Sequence, residues 1–177
     1  ALRCAIEGEG PLVIMVHGFP ESWYSWRHQI RPVAEAGFTA CAIDVRGYGG
    51  SDKPQPVVAY AMERIVGDLV GLRKALSPDE SAILVGHDWG GGHVMRIAME
   101  RSHLIRSWTM DIAGCFDPNY IWHDLAQVWQ TPNAGEEAIA RMVNQPLAAR
   151  VEQFAQPRLD SRHKMPCHYD ARRMIEA

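Results

Sequence analysis

The sequence predicts an α/β protein, a parallel sheet flanked by helices, and three observations carry that reading. Short β-branched and apolar runs alternate with longer stretches of helical period, as strands alternate with crossover helices. The apolar runs are rich in Val, Ile, Leu and Ala, the composition of strands covered on both faces. The connections are short, as α/β units prefer.

Taken in order, residues 2 to 6 read as a partial edge strand. Leu12 to Val16, Phe38 to Val45, Ala82 to Gly86 and Ile105 to Ile112 read as largely buried strands, bounded by Gly or charged residues. A helix from about Trp23 to Ala36 joins the first two of these. Met62, Ile65, Val66, Leu69, Leu72 and Leu76 then recur at three- and four-residue steps, one apolar stripe on a helix of about 17 residues. The opposite face of that helix is Glu63, Arg64, Asp68 and Lys74. Trp89 to Arg101 completes the alternation. After Gly114 the texture changes: Trp122 to Trp129 and Glu136 to Val143 look helical, and no further run of Val and Ile follows. The stretch from Gln156 to Ala177 is rich in Arg, His, Asp and Pro, the composition of a loosely packed tail.

Composition bounds the function. The 177 residues are 47% hydrophobic and 22% charged, as in an ordinary globular domain. A net charge of −3 gives no basic footprint, so no nucleic-acid partner is expected. No apolar run approaches the roughly 18 residues of a membrane span, and no signal-like stretch is present. Cys4, Cys41, Cys115 and Cys167 lie far apart with no C-x-x-C pair, so neither a metal site nor a disulfide framework is expected. The expected setting is a reducing cytoplasm.

The strongest local signal is Ala82-Ile83-Leu84-Val85-Gly86-His87-Asp88-Trp89-Gly90-Gly91, a buried strand running into a glycine-flanked polar residue and then a helix. This is the pattern of a nucleophile elbow. Its strained turn needs small residues two positions before and after the centre, which Gly86 and Gly90 supply. The turn lifts Asp88 above the carboxyl end of the sheet, beside a helix N-terminus that favours an anion. The alternative is a helix-capping aspartate. A carboxylate at this position displaces a leaving group from saturated carbon, and the alkyl ester so formed is cleaved by water at its own carbonyl. His17-Gly18-Phe19-Pro20 follows the strand Leu12 to Val16 and reaches the same sheet edge. The backbone N–H groups of Phe19 and Trp89 are its expected oxyanion donors, one such donor being worth about 3 kcal/mol. The tight turn motivates a cis bond between Phe19 and Pro20.

These residues, with His17-Gly18-Phe19-Pro20-Glu21-Ser22-Trp23-Tyr24-Ser25-Trp26-Arg27 and Asp44-Val45-Arg46-Gly47-Tyr48-Gly49-Gly50-Ser51, resemble the epoxide hydrolase and haloalkane dehalogenase branch of the α/β-hydrolase superfamily. The resemblance covers roughly residues 1 to 114. It implies the N-terminal part of an α/β-hydrolase core over 1–114 and a helical cap segment over 115–157; composition leaves 158–177 as a tail of uncertain order. It implies no metal or organic cofactor. The expected substrate is a small hydrophobic epoxide or haloalkane.

Such an enzyme also needs an acid that orients a histidine and a histidine that activates water. Asp111, at the end of the strand after the nucleophile, is the candidate acid, with loop tethering as the alternative. The resemblance usually places Asn there in epoxide hydrolases and the acid in several dehalogenases. His17 and His87 belong to the motifs above, His28, His93 and His103 sit in or beside helices, and His123, His163 and His168 lie in the cap or tail. None follows a last strand, where the family's base lies, and the family's last two strands are not recognised. An exposed sheet edge, and self-association through it, is therefore expected.

For the leaving group, the resemblance offers cap tyrosines for an epoxide, with Tyr120 the candidate, and N–H donors for a halide, with the Trp89 ring available. Trp129, in a faint aromatic-Gln-x-Pro run, is placed near the pocket. Trp89 followed by Gly90 stands where haloacetate dehalogenases carry Arg, which disfavours a carboxylate substrate. Three readings stay open: epoxide opening, carbon–halogen hydrolysis and a non-catalytic truncated chain.

Overall fold

The computed structural model describes residues 1–111 and 119–152. The expectations that fall on Ile112, Gly114, Cys115 and the 158–177 tail, with His163, Cys167 and His168, lie outside the described residues. The chain divides into two compact units, Ala1–Ala113 and Gly114–Glu176.

The first unit is built on five strands, β1 (Cys4–Glu7), β2 (Leu12–Val16), β3 (Thr39–Ile43), β4 (Ala82–Gly86) and β5 (Ile105–Met110), in the order β1-β3-β2-β4-β5. β1 runs antiparallel to β3, and every other pairing is parallel. The sheet is thus mostly parallel with one antiparallel edge. Helices cover both faces of its centre, which is why β2 reads as an uninterrupted apolar run instead of an alternating one. Leu12, Ile14, Val16, Cys41 and Ile43 pack against Val66 and Leu69 of α2 (Met62–Leu76) and Val94 and Ile97 of α3 (Trp89–Glu100). Val13, Met15, Ala40 and Ala42 face the other way, toward Ile30 of α1 (Arg27–Glu35) and the rings of Trp23 and Trp26.

Several expectations change. β5 is not a buried strand: Arg106 to Thr109 are exposed, Trp108 at 45%. Among the described residues it pairs with β4 alone, and its interior polar residues Arg106, Ser107 and Thr109 suit a strand with open faces. The helix expected from Trp23 begins as a 3-10 turn, Trp23–Trp26, because Ser22 caps it through Tyr24 N–H; α1 starts at Arg27. α2 is 15 residues long and Leu76, the last residue of its stripe, is exposed. Asp68 is not a solvated residue, since the Arg46 guanidinium holds both its oxygens at 2.6 and 2.7 Å.

The second unit contains α4 (Asp124–Trp129) and α5 (Ala134–Val143), and residues 147–152 are helical again. Among the described residues no helix is long and apolar enough to cross a membrane, and no group of three His, Cys, Asp or Glu side chains is arranged to hold a metal ion.

Candidate active site

The β2 and β4 ends meet at one point, with His87 N–H donating to the Val16 carbonyl at 3.0 Å as the last rung between them. Asp88 follows with φ 50° and ψ −123°, a conformation that costs a non-glycine residue on the order of 1–3 kcal/mol. The neighbouring glycines make this turn fit. A Cβ on Gly86 would lie 2.6 Å from the Gly90 carbonyl oxygen, and one on Gly90 would lie 2.2 Å from the Val16 carbonyl oxygen. Asp88 stands at the N-cap position of α3, yet its side chain makes no capping hydrogen bond. Its Oδ1 accepts from the Phe19 N–H at 2.8 Å instead. The capping alternative therefore fails, and the carboxylate faces the loop after β2. That loop presses close: a Cβ on Gly18 would lie 2.3 Å from Asp88 Cβ.

The loop is held by its own chain. The Phe19–Pro20 bond is cis. Gly18 N–H donates to Glu21 Oε2 at 3.0 Å while Glu21 N–H donates to the Gly18 carbonyl at 3.1 Å, so Glu21 closes the turn twice. His17 is buried and both its nitrogens are used. Val45 N–H donates to Nε2 at 3.0 Å, which assigns the proton to Nδ1, whose partner is the Gly18 carbonyl at 2.8 Å. Burial lowers the His17 pKa and keeps this ring neutral near pH 7. Beneath the loop, fully buried Asp44 accepts from Trp23 N–H and Gly50 N–H, each at 2.8 Å. It fixes the start of the 3-10 turn and the loop after β3 at once.

On the other flank lies a cluster of side-chain charges. His87 Nδ1 is 2.7 and 2.8 Å from the two oxygens of Asp111, and its Nε2 is 3.5 Å from Glu21 Oε1. The His87 pKa is pushed up to about 9, chiefly by Glu21 and then by Asp111 against the opposing effect of burial. The more distant carboxylate counts for more because Glu21 is buried, whereas the Asp111 side chain is 65% exposed and screened by water. Burial pushes the Glu21 carboxyl up, but His87 and the Gly18 N–H outweigh it and hold the group below its usual range. His87 is therefore an imidazolium at neutral pH and has no lone pair for a proton.

Of the expected site residues, Asp88, Phe19, Trp89 and Asp111 gather at the carboxyl ends of β2, β4 and β5, with Trp89 the first residue of α3. Asp111 N–H donates to the Gly86 carbonyl at 3.3 Å, and its side chain engages His87. Tyr120 and Trp129 belong to the second unit. Tyr120 packs edge-on against Trp122, ring centroids 5.1 Å apart, and Trp129 ends α4 and lines a shallow cleft with Ile139, Ala140 and Val143 of α5. Sequence reasoning missed Glu21, His87 and Asp44 as working groups. Glu21 left one trace, an acid inside an otherwise apolar and aromatic loop.

A family model described as alpha/beta hydrolase fold matches residues 11–165. Epoxide hydrolase B of Mycobacterium tuberculosis is 55% identical over 82 residues, which are 46% of this chain and 23% of that protein. An AB hydrolase superfamily protein of Bacillus subtilis, YfhM, is 44% identical over 93 residues, 52% of this chain and 32% of that one. Among solved structures, epoxide hydrolase VrEH1 from Vigna radiata superposes with a TM-score of 0.71 at 30% identity, covering 86% of this chain and 53% of that one. The chain spans a quarter to a third of the length of these curated relatives and about half of that solved chain.

Proposed function

The chain belongs to the alpha/beta hydrolase fold family, and from that premise we propose that it opens epoxides to diols through an alkyl ester on Asp88. The observation that carries the reading is the Asp88 carboxylate, held on a strained elbow, uncapped and facing an oxyanion loop. The similarity to epoxide hydrolases of Mycobacterium tuberculosis and Vigna radiata supports it.

In the first step an Asp88 oxygen forms a bond to one epoxide carbon while the carbon–oxygen bond of the ring breaks. The released alkoxide takes a proton, for which Tyr120 is the candidate donor; Trp129 is a candidate substrate contact. In the second step water adds to the ester carbonyl. The oxyanion is received by the Phe19 and Trp89 N–H groups, and collapse releases the diol and restores the carboxylate. The water must give up a proton, and no described histidine combines a free acceptor nitrogen with an orienting carboxylate. His87 is charged, His17 has both nitrogens bonded to backbone, and His93 keeps an acceptor at Nε2 but is held at Nδ1 by the Trp89 carbonyl and not by an acid. The ester is expected to accumulate.

Carbon–halogen hydrolysis, the second reading, draws on Asp111 as triad acid and on the Trp89 ring as halide donor. The His87–Asp111 pair gives that carboxylate another use and leaves the Trp89 support in place. The chain with a reduced Cys4 and Cys41 suits the cytoplasm, and association through the open β5 edge is part of the reading.

The test is intact mass after incubation with styrene oxide. A stable one-equivalent adduct, absent in Asp88→Asn, supports the reading. A bromoalkane that labels Asp88 when the epoxide does not would move it to dehalogenation. Product without adduct would mean that a histidine completes the site, and the absence of adduct and product with both reagents would leave a non-catalytic chain.

A further inference from the structure

Beside Asp88 the first unit holds a cleft of about 380 Å³, a volume within the range of small-molecule sites. Gly18 and Trp89, which bracket the Asp88 carboxylate in space and in sequence, are also walls of this cleft. Its sides are Val45, Met62 and Ile65 with the rings of Tyr48 and Tyr60. Three of its polar side chains are tied down within the protein. The Arg46 guanidinium is forked on Asp68, the Tyr60 hydroxyl donates to the Pro54 carbonyl at 2.7 Å, and His17 is fixed at both nitrogens.

His93 differs. It sits in the first turns of α3 and is 6% exposed, an unusual place for an imidazole without a task. Its Nδ1 is engaged by the Trp89 carbonyl one turn back, so Nδ1 carries the proton and Nε2 is left as an acceptor at the outer end of the ring. Burial lowers the His93 pKa, which keeps that acceptor available at neutral pH. An acceptor in a largely apolar cleft matches a donor on an otherwise apolar guest, and a hydroxyl is the neutral group of that kind.

We propose that this cleft receives the part of the substrate remote from the reacting ring, and that His93 selects epoxides carrying a hydroxyl group there. The inference rests on the epoxide-opening reading of Asp88 and names its substrate class. With Arg46 held by Asp68, a carboxylate in the same place would meet no available cation, and the acceptor nitrogen would repel it.

The test compares the rates at which 5,6-epoxyhexan-1-ol and 1,2-epoxyhexane label Asp88 in the 177-residue chain, read by intact mass. The hydroxylated epoxide is expected to react roughly five-fold faster, the worth of one ordinary hydrogen bond. In His93→Phe the ratio should fall to near one, and in His93→Gln, which retains an acceptor, part of the preference should return. Equal rates in the unaltered chain overturn the inference without recourse to any variant. A preference that survives in a folded His93→Phe overturns the role of His93. Absence of label and of diol with both epoxides overturns the Asp88 reading and this one with it, an outcome distinct from labelling or diol formation without preference.

Discussion

Asp88 divides its surroundings into two flanks built by different means. Toward β2 and β3 the chain is held by backbone geometry and buried acceptors: Gly18, Gly90, His17 and Asp44 leave no room for an alternative. Toward β5 the same carboxylate is flanked by an ion-pair cluster, Glu21–His87–Asp111, half open to water and set on an exposed edge strand. The difference teaches where rigidity comes from. Buried flanks of a catalytic residue are fixed by sterics and hydrogen bonds that cannot be screened, exposed flanks by charges that solvent and pH can weaken.

The largest test of the contrast is Gly90→Ala. The new methyl would press on the Val16 backbone oxygen at 2.2 Å, and backbone cannot yield as a side chain does. A loss of about 3 kcal/mol or more is expected by denaturant unfolding, with loss of labelling at Asp88. A midpoint equal to that of the unaltered chain would show that the backbone-held flank is softer than its geometry implies. Next is Asp44→Ala, which leaves the Trp23 and Gly50 amides without their acceptor; about 2–4 kcal/mol should go, with partial recovery in Asp44→Asn because one oxygen remains. Equal losses in both variants would assign the effect to charge, through Arg3 at 3.6 Å, and not to the amides.

Sequence reasoning reached one flank and missed the other for a physical reason. The Gly86–Asp88–Gly90 elbow is a local device: three residues of one strand–helix turn carry the steric requirement, so it is legible without a partner. The alternation of strands and helices is likewise local. The charge cluster unites positions 21, 87 and 111 from three chain segments, and only the sheet order brings their ends together. His87 was read as motif filling because its partners lie far along the chain. β5 was misjudged in the same way. Its burial depends on what covers it, and Ile105 to Met110 carry no local mark of an open face beyond Arg106, Ser107 and Thr109.

The exposed flank should respond to pH, with a sign that follows from linkage. The His87 pKa is raised in the folded chain to about 9 from the ordinary 6.5. Below 6.5 both folded and unfolded chains are protonated there, and the cluster's stabilisation is fully present; as pH rises toward 9 the unfolded imidazole has already lost its proton, and the contribution is lost through the folded pKa. After discount for the water around Asp111, about 1 kcal/mol should disappear between pH 6 and pH 9.5 in the unaltered chain and not in His87→Gln. A flat profile in both would show the cluster to be energetically silent. Asp111→Asn is milder. It removes the exposed partner while buried Glu21 remains, so the His87 pKa, followed by NMR, should fall while staying above 6.5.

The smallest effect on stability is expected on β5 itself. Trp108 is 45% exposed, so Trp108→Thr exchanges a half-solvated ring for a residue of good strand propensity and should change stability by less than about 0.5 kcal/mol. Its effect on association should be larger than its effect on folding. Light scattering at rising concentration should show self-association of the unaltered chain, and the substitution should weaken it by removing apolar area from an edge whose N–H and C=O groups have no partner strand among the described residues. A monodisperse monomer before substitution would show that β5 is protected by something other than its side chains. Unchanged association after it would assign the contact to the backbone edge, and the exposed flank would then be held, as the buried one is, by main-chain hydrogen bonds.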